Sequence, residues 1–205
     1  MLRRAEMRAL WRQAAHVLAH PWRRVALALA GFVLILGIDR WLLAGPHTLI
    51  ATGIADETAH FTTMAIFLLA FPSRNDGFIL GCLIGSVAID LDHIPLFLGS
   101  DLLTRQTNRP FTHSVCTILI VVAAAAMARG FGRSMGLGVA VGLAVHFLRD
   151  MATSTAGVPL LWPFATTGFM LPYPLYAATL FGALAWGGVA AARITGREKR
   201  RGPGR

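Results

Sequence analysis

Apolar stretches about as long as a bilayer is thick recur along this chain, and nothing constrains its fold more. A helix needs about 20 mainly apolar residues to cross roughly 30 Å of hydrocarbon. Within that layer its backbone polar groups must be satisfied by the segment itself. Six stretches meet this need, at 25–44, 48–71, 77–99, 113–128, 134–151 and 173–192, set apart by Gly, Pro, Asn and Arg. The pattern predicts an all-α membrane protein of about six transmembrane helices forming a bundle. A basic amphipathic segment (1–24) precedes the helical membrane domain (25–192), and a basic tail (193–205) follows it. With 55% hydrophobic and 14% charged residues, the 205-residue chain is neither disordered nor an ordinary soluble domain. The stretch 25–44 is read as a retained helix. It runs on through Asp39, Arg40 and Trp41 without the small-residue cleavage site of a secretory signal.

The formal charge of +9 would raise the question of nucleic acid in a soluble chain. Here the basic residues crowd into the two ends, Arg3 to Arg24 and Arg193 to Arg205, so the expected partner is membrane lipid and not nucleic acid. With both termini cytoplasmic, only Arg105 and Arg109 fall in outward loops, as the positive-inside rule asks. The segment from Arg3 to Arg24 suits either an amphipathic helix on anionic lipid or a simple positive flank. Cys82 and Cys116 lie in apolar runs without CxxC spacing and read as small core residues.

Ionisable residues at bilayer depth are costly unless paired or bound, so their positions carry the functional information. The second stretch has Asp56, Glu57 and His60, the third Asp90, Asp92 and His93, and the fifth His146, Arg149 and Asp150; His113 opens the fourth. Helical spacing pairs Asp56 and Glu57 with His60, Asp90 with His93, and His146 with Asp150. At about 1.5 Å rise per residue these groups converge on one layer in the outer half of the membrane. Neutral imidazole and carboxylate are ligands for zinc and equally for manganese or iron, so His60, Asp92, His93, His113, His146 and Asp150 are the expected metal ligands. Asp39 and Arg40 read as an interfacial pair without a chemical role.

Several motifs in order carry a resemblance: Asp90-Leu91-Asp92-His93, then Arg109 to Ser114, then His146 to Asp150 leading into Gly157-Val158-Pro159-Leu160-Leu161-Trp162-Pro163. Over roughly residues 60–163 the chain resembles the LexA-regulated, inner-membrane metal-dependent hydrolase family, the YdjM-like proteins. By position His60, Asp90, Asp92, His93, His113, His146 and Asp150 match that family's metal-binding and catalytic set. Asn108 stands where the family has His before Arg; it accepts a hydrogen bond but is a poor ligand. The resemblance implies hydrolysis at a divalent metal, zinc first, in the inner membrane.

The expected base is Asp90, Asp92 or Glu57, whichever is not a ligand. Arg109 and Arg149, with Asn108 and Thr112, form the expected substrate-binding set and suit an anionic ester or phosphoester, small or lipid-linked. A proton- or metal-conducting transporter is the alternative, set back by the absence of ionisable residues along 77–88, 115–128 and 135–145. A structural protein with a metal staple is a third reading. Gly81 with Gly85 and Gly138 with Gly142 are spaced for close helix packing, and the loop 153–172 reads as a lid or an interfacial anchor.

Overall fold

The computed structural model describes residues 20–73, 75–107 and 109–201. Six longer helices run in chain order: α1 (Pro21–Leu43), α2 (Leu49–Ala70), α3 (Asp76–Gly85), α4 (Val115–Met127), α5 (Gly130–Thr153) and α6 (Tyr173–Arg201). Among the described residues there is no β-strand, only one antiparallel bridge between Val158 and Phe169. The expected all-α membrane class is the observed one. Thr48 caps α2 by accepting from the Ala51 amide, and Asn75 caps α3 by accepting from the Phe78 amide.

Four helical segments are both long and apolar enough to cross a membrane: Pro21–Leu43, Asp76–Phe97, Gly130–Thr153 and Tyr173–Gly196. Helix α2 has 22 residues but carries Asp56, Glu57 and His60, and α4 has only 13, about 20 Å of helix. Large apolar side chains such as Val33, Ile120 and Phe181 point outward, as lipid-facing residues do. Inside, Ile35 of α1, Ile66 of α2 and Tyr176 and Leu180 of α6 form one buried cluster.

The segment predicted as one helix over 77–99 is not continuous. Helix α3 stops at Gly85, a 3-10 segment follows at Ala88–His93, and a single α turn at Ile94–Phe97 closes it. Pro95 explains part of this, because it lacks the N–H an unbroken helix would use, while Ile94 before it keeps α geometry and opens the closing turn. The consequence matters for the site. In an α-helix Asp90 and Asp92 would point to nearly opposite sides, whereas tighter 3-10 winding eclipses Asp90 with His93 and brings Asp92 toward them.

Two other boundaries move. Helix α4 begins at Val115, leaving His113 in the preceding turn, and α6 continues unbroken past 192 to Arg201, so the expected tail starts inside a helix. Residues 1–19, most of the expected amphipathic segment, lie outside the described residues, as do 202–205.

Helices α3 and α5 are in backbone contact. A Cβ added at Gly81 would lie 2.1 Å from the Met135 carbonyl oxygen, one at Gly138 2.2 Å from that of Phe78, and one at Gly142 2.3 Å from that of Cys82. Only glycine allows this approach. It places the carboxyl end of α5 beside the 3-10 segment, where the polar residues gather.

Candidate metal centre

Chain direction alternates between successive long helices, so the end of α1, the start of α2, the 3-10 segment, the end of α5 and the start of α6 meet at one end of the bundle. Their ionisable side chains form a single cluster. His60, His113, His146 and Asp150 are at most 1% exposed, while Asp56, Asp90, Asp92 and His93 are partly open to one side.

The innermost four donors are Asp90 Oδ1, His113 Nε2, His146 Nε2 and Asp150 Oδ2. Asp90 Oδ1 lies 3.2 Å from His113 Nε2 and 3.4 Å from His146 Nε2. Asp150 Oδ2 lies 3.4 Å and 3.2 Å from the same two nitrogens. Ligand atoms arranged as a tetrahedron about 2.0–2.1 Å from a central ion are separated by about 3.3–3.4 Å. Four edges of this group therefore have the length a bound ion requires.

The tautomers agree with that use. His146 Nδ1 is 3.0 Å from the Ser86 carbonyl oxygen, an acceptor only, so Nδ1 carries the proton and Nε2 presents a lone pair to the cluster. Nε2 is buried without a hydrogen-bond partner among the described residues. His113 Nδ1 faces Asp92 Oδ2 at 3.2 Å, the carboxylate–imidazole arrangement that orients a metal-ligating ring.

Two further groups share Asp90. His93 Nδ1 lies 2.9 Å from Asp92 Oδ1 and 3.4 Å from Asp90 Oδ1. Asp56, His60 and Asp90 each offer a donor atom within 4.8 Å of the others. Glu57 neighbours Asp90, Asp56 and His146, and its Oε2 is buried without a partner among the described residues. Five carboxylates thus share the space with two guanidinium groups, Arg109 and Arg149. Such an excess of buried negative charge calls for further cations.

Arg109 donates to Asp150 Oδ2 and keeps part of its side chain accessible. Two further members of the expected substrate-binding set, Thr112 and Arg149, make hydrogen bonds within the protein. The Thr112 hydroxyl donates to Asp92. Arg149 has no exposed surface; its Nη2 is 2.7 Å from Asp39 Oδ1 and 3.3 Å from Asp56 Oδ1, and its Nη1 is 3.5 Å from the Tyr176 hydroxyl. Its two Nη atoms are thus taken up by protein partners, while its Nε is buried without one among the described residues. Asn108, the fourth member of that set, lies outside the described residues.

Asp39 does not pair with Arg40 as expected but turns into the same region. Asp39 is buried and accepts from Arg149 and from the Tyr173 hydroxyl at 2.6 Å, while Arg40 is exposed. Asp56 is not among the expected ligands, and Glu57 enters only as a candidate base, although the four-residue spacing from Asp56 to His60 already pairs those two. The Ser86 carbonyl carries no sequence signal, since a main-chain acceptor is specified by geometry alone.

The loop after α5 packs over this end. Val158 is fully buried, the Leu160 carbonyl accepts from the Val115 amide at 2.9 Å, and Trp162 stacks on Phe111 with ring centroids 4.4 Å apart. Phe164, Met170 and Phe169 remain exposed at its outer side.

A family model described as YdjM inner membrane protein matches residues 56–203, which includes every donor named above. Comparison with curated proteins and with solved structures finds no match.

Proposed function

Since the chain belongs to the YdjM inner membrane protein family, we propose that it is a membrane-embedded, metal-dependent hydrolase of an anionic ester or phosphoester at the outer face of the membrane. The observation that carries this reading is the set of four donor atoms with 3.2–3.4 Å edges, each ring or carboxylate coming from a different turn of the bundle. Asp90, His113, His146 and Asp150 would hold the ion. The donor types favour zinc, with manganese or iron accommodated by the same set. A divalent ion in such a site supplies Lewis acidity, acidifying water and polarising an ester oxygen.

The remaining roles fall to residues that are not ligands. Asp90 faces two ring nitrogens and suits a ligand better than a base. Glu57, with an unpartnered carboxylate oxygen beside Asp90, is the group to accept a proton. Asp92 holds the His113 ring, and Thr112 holds Asp92. Arg109 uses part of its fork on Asp150, and its other N–H groups are free in chemistry to meet phosphate or carboxylate oxygens. The partly open side, lined by Asp56, Asp90 and His93, is where substrate would enter. Membrane-depth placement and apolar walls favour a lipid or lipid-linked substrate.

Metal content of the detergent-purified chain tests the centre, and phosphate-ester turnover by membrane vesicles tests the chemistry. The expected result is bound metal in the wild type, loss of it in His146→Ala, and lost turnover with retained metal in Glu57→Gln. Background metal in the wild type, or unchanged turnover in both variants, refutes the reading.

A further inference from the structure

We propose that the site holds two divalent ions, with Asp150 as the carboxylate between them and His60 and Asp56 as the second ion's own ligands. This rests on the first ion being held by Asp90, His113, His146 and Asp150.

Asp150 divides its two oxygens between two sets of imidazoles. Its Oδ2 faces His146 and His113, at 3.2 Å and 3.4 Å, while its Oδ1 faces His60 Nε2 at 3.4 Å. Carboxylates that bridge two ions present their oxygens in this divided way. The His60 ring lies parallel to that of His146, with 3.8 Å between centroids and 13° between planes. Two ring donors set side by side at that separation match the roughly 3.5–4 Å at which two-metal sites hold their ions.

His60 supplies the independent sign that something binds there. It is 1% exposed, and neither ring nitrogen has a hydrogen-bond partner among the described residues. A buried imidazole left this way carries a desolvation cost that a coordinated ion would remove. Around it stand Asp56, with Oδ2 at 3.8 Å from Nε2, and Asp90, completing a group whose donor atoms lie within 4.8 Å of one another.

Asp56 is also held in place. Arg149 Nη2 contacts its Oδ1 at 3.3 Å, and that guanidinium is itself anchored on Asp39 at 2.7 Å. One carboxylate oxygen is thereby tied back while the other faces His60. Arg149 is a positioning residue for this second ion.

The competing location is Asp92 with His93. Asp92 Oδ1 and His93 Nδ1 also lack hydrogen-bond partners among the described residues. Asp92 Oδ2, however, is engaged by Thr112 and His113 Nδ1, only one His93 nitrogen is left so, and that ring is partly exposed. His60, with both nitrogens unpartnered and 1% exposed, is favoured.

The test is a Mn(II) titration of the metal-stripped, detergent-purified full chain, read by metal content and electron paramagnetic resonance. Two ions per chain with a spin-coupled signal are expected for the wild type. His60→Ala and Asp56→Asn should each retain one ion with an uncoupled six-line signal and bind the second roughly tenfold or more weakly. Saturation of the wild type at one ion, with none in His146→Ala, overturns the second ion but leaves the first centre standing. Loss of the second ion in His93→Ala and not in His60→Ala also overturns it. No binding in the wild type removes both readings together.

Discussion

His146 shows how a single ring is prepared to serve as a ligand: the Ser86 carbonyl fixes its Nδ1 proton, and Nε2 is left facing two carboxylates. His113 is prepared by a side chain, Asp92, which makes a prediction specific to that role. Asp92→Asn should weaken metal binding by about 10–100-fold, the usual cost of losing an orienting partner, whereas Asp90→Ala should abolish it. Parallel metal titrations would decide, and equal abolition in both would make Asp92 a direct ligand. Arg149 belongs to a different class of buried charge. Removing one member of an enclosed ion pair strands the other, at about 3–5 kcal/mol. Arg149→Met should therefore lower thermal stability in detergent far more than Arg149→Met with Asp39→Leu, and additive losses would refute the pairing. The site was legible where partners are close in sequence, as with Asp90 and His93 or His146 and Asp150, because helical periodicity alone brings them together. Asp39 and Arg149, separated by 110 positions, leave no such trace. The adjacent Arg40 offered a nearer partner that geometry does not use.

At the scale of elements, two features of the third predicted span decide where the chemistry sits. The Gly81, Gly85, Gly138 and Gly142 spacing could be read directly as close helix packing, since a missing Cβ is a property of the residue itself. The change to 3-10 winding after Gly85 was less accessible. Pro95 signals a break, but its position follows from how α3 locks onto α5 and from what Asp90, Asp92 and His93 then have to face. These two features are coupled, because the glycine contact sets the height at which the 3-10 segment meets His146 and Asp150. Gly81→Ala would place a methyl group against the Met135 carbonyl and force the helices apart, a cost of about 1–3 kcal/mol. Its melting temperature in detergent should fall, and its metal affinity should fall with it, although residue 81 touches no ligand. Gly53→Ala, where an added Cβ meets nothing within 4 Å, is the control; it should leave metal affinity unchanged and, as a helix-interior Gly→Ala, should not lower the melting temperature. An affinity unchanged in Gly81→Ala would mean that the α3–α5 contact does not position the site.

For the whole molecule the decisive asymmetry is between the two ends of the bundle. Every donor named above lies at one end. The opposite end carries Arg23, Arg24, Arg129, Arg133 and Arg193, near where Pro21, Ala70 and Ala191 line a common cavity. Composition and apolar run length made the helical class readable from sequence, because bilayer thickness is an external ruler that every spanning segment must meet. Orientation follows from a different force, the preference of basic flanks for the cytoplasmic side. Applied to this bundle, it predicts the basic end inside and the donors outside. In that orientation Phe164, Met170 and Phe169, exposed on the loop at the donor end, would lie where apolar side chains enter the outer interface. A membrane-impermeant thiol reagent added to intact cells tests this arrangement in a Cys116→Ser background, where the remaining Cys82 is buried. Ser100→Cys, exposed just beyond the α turn that follows the donors, should be labelled from outside, and Arg193→Cys only after the membrane is permeabilised. The reverse pattern would place the site at the cytoplasmic face, and its substrate would then have to come from the inner leaflet.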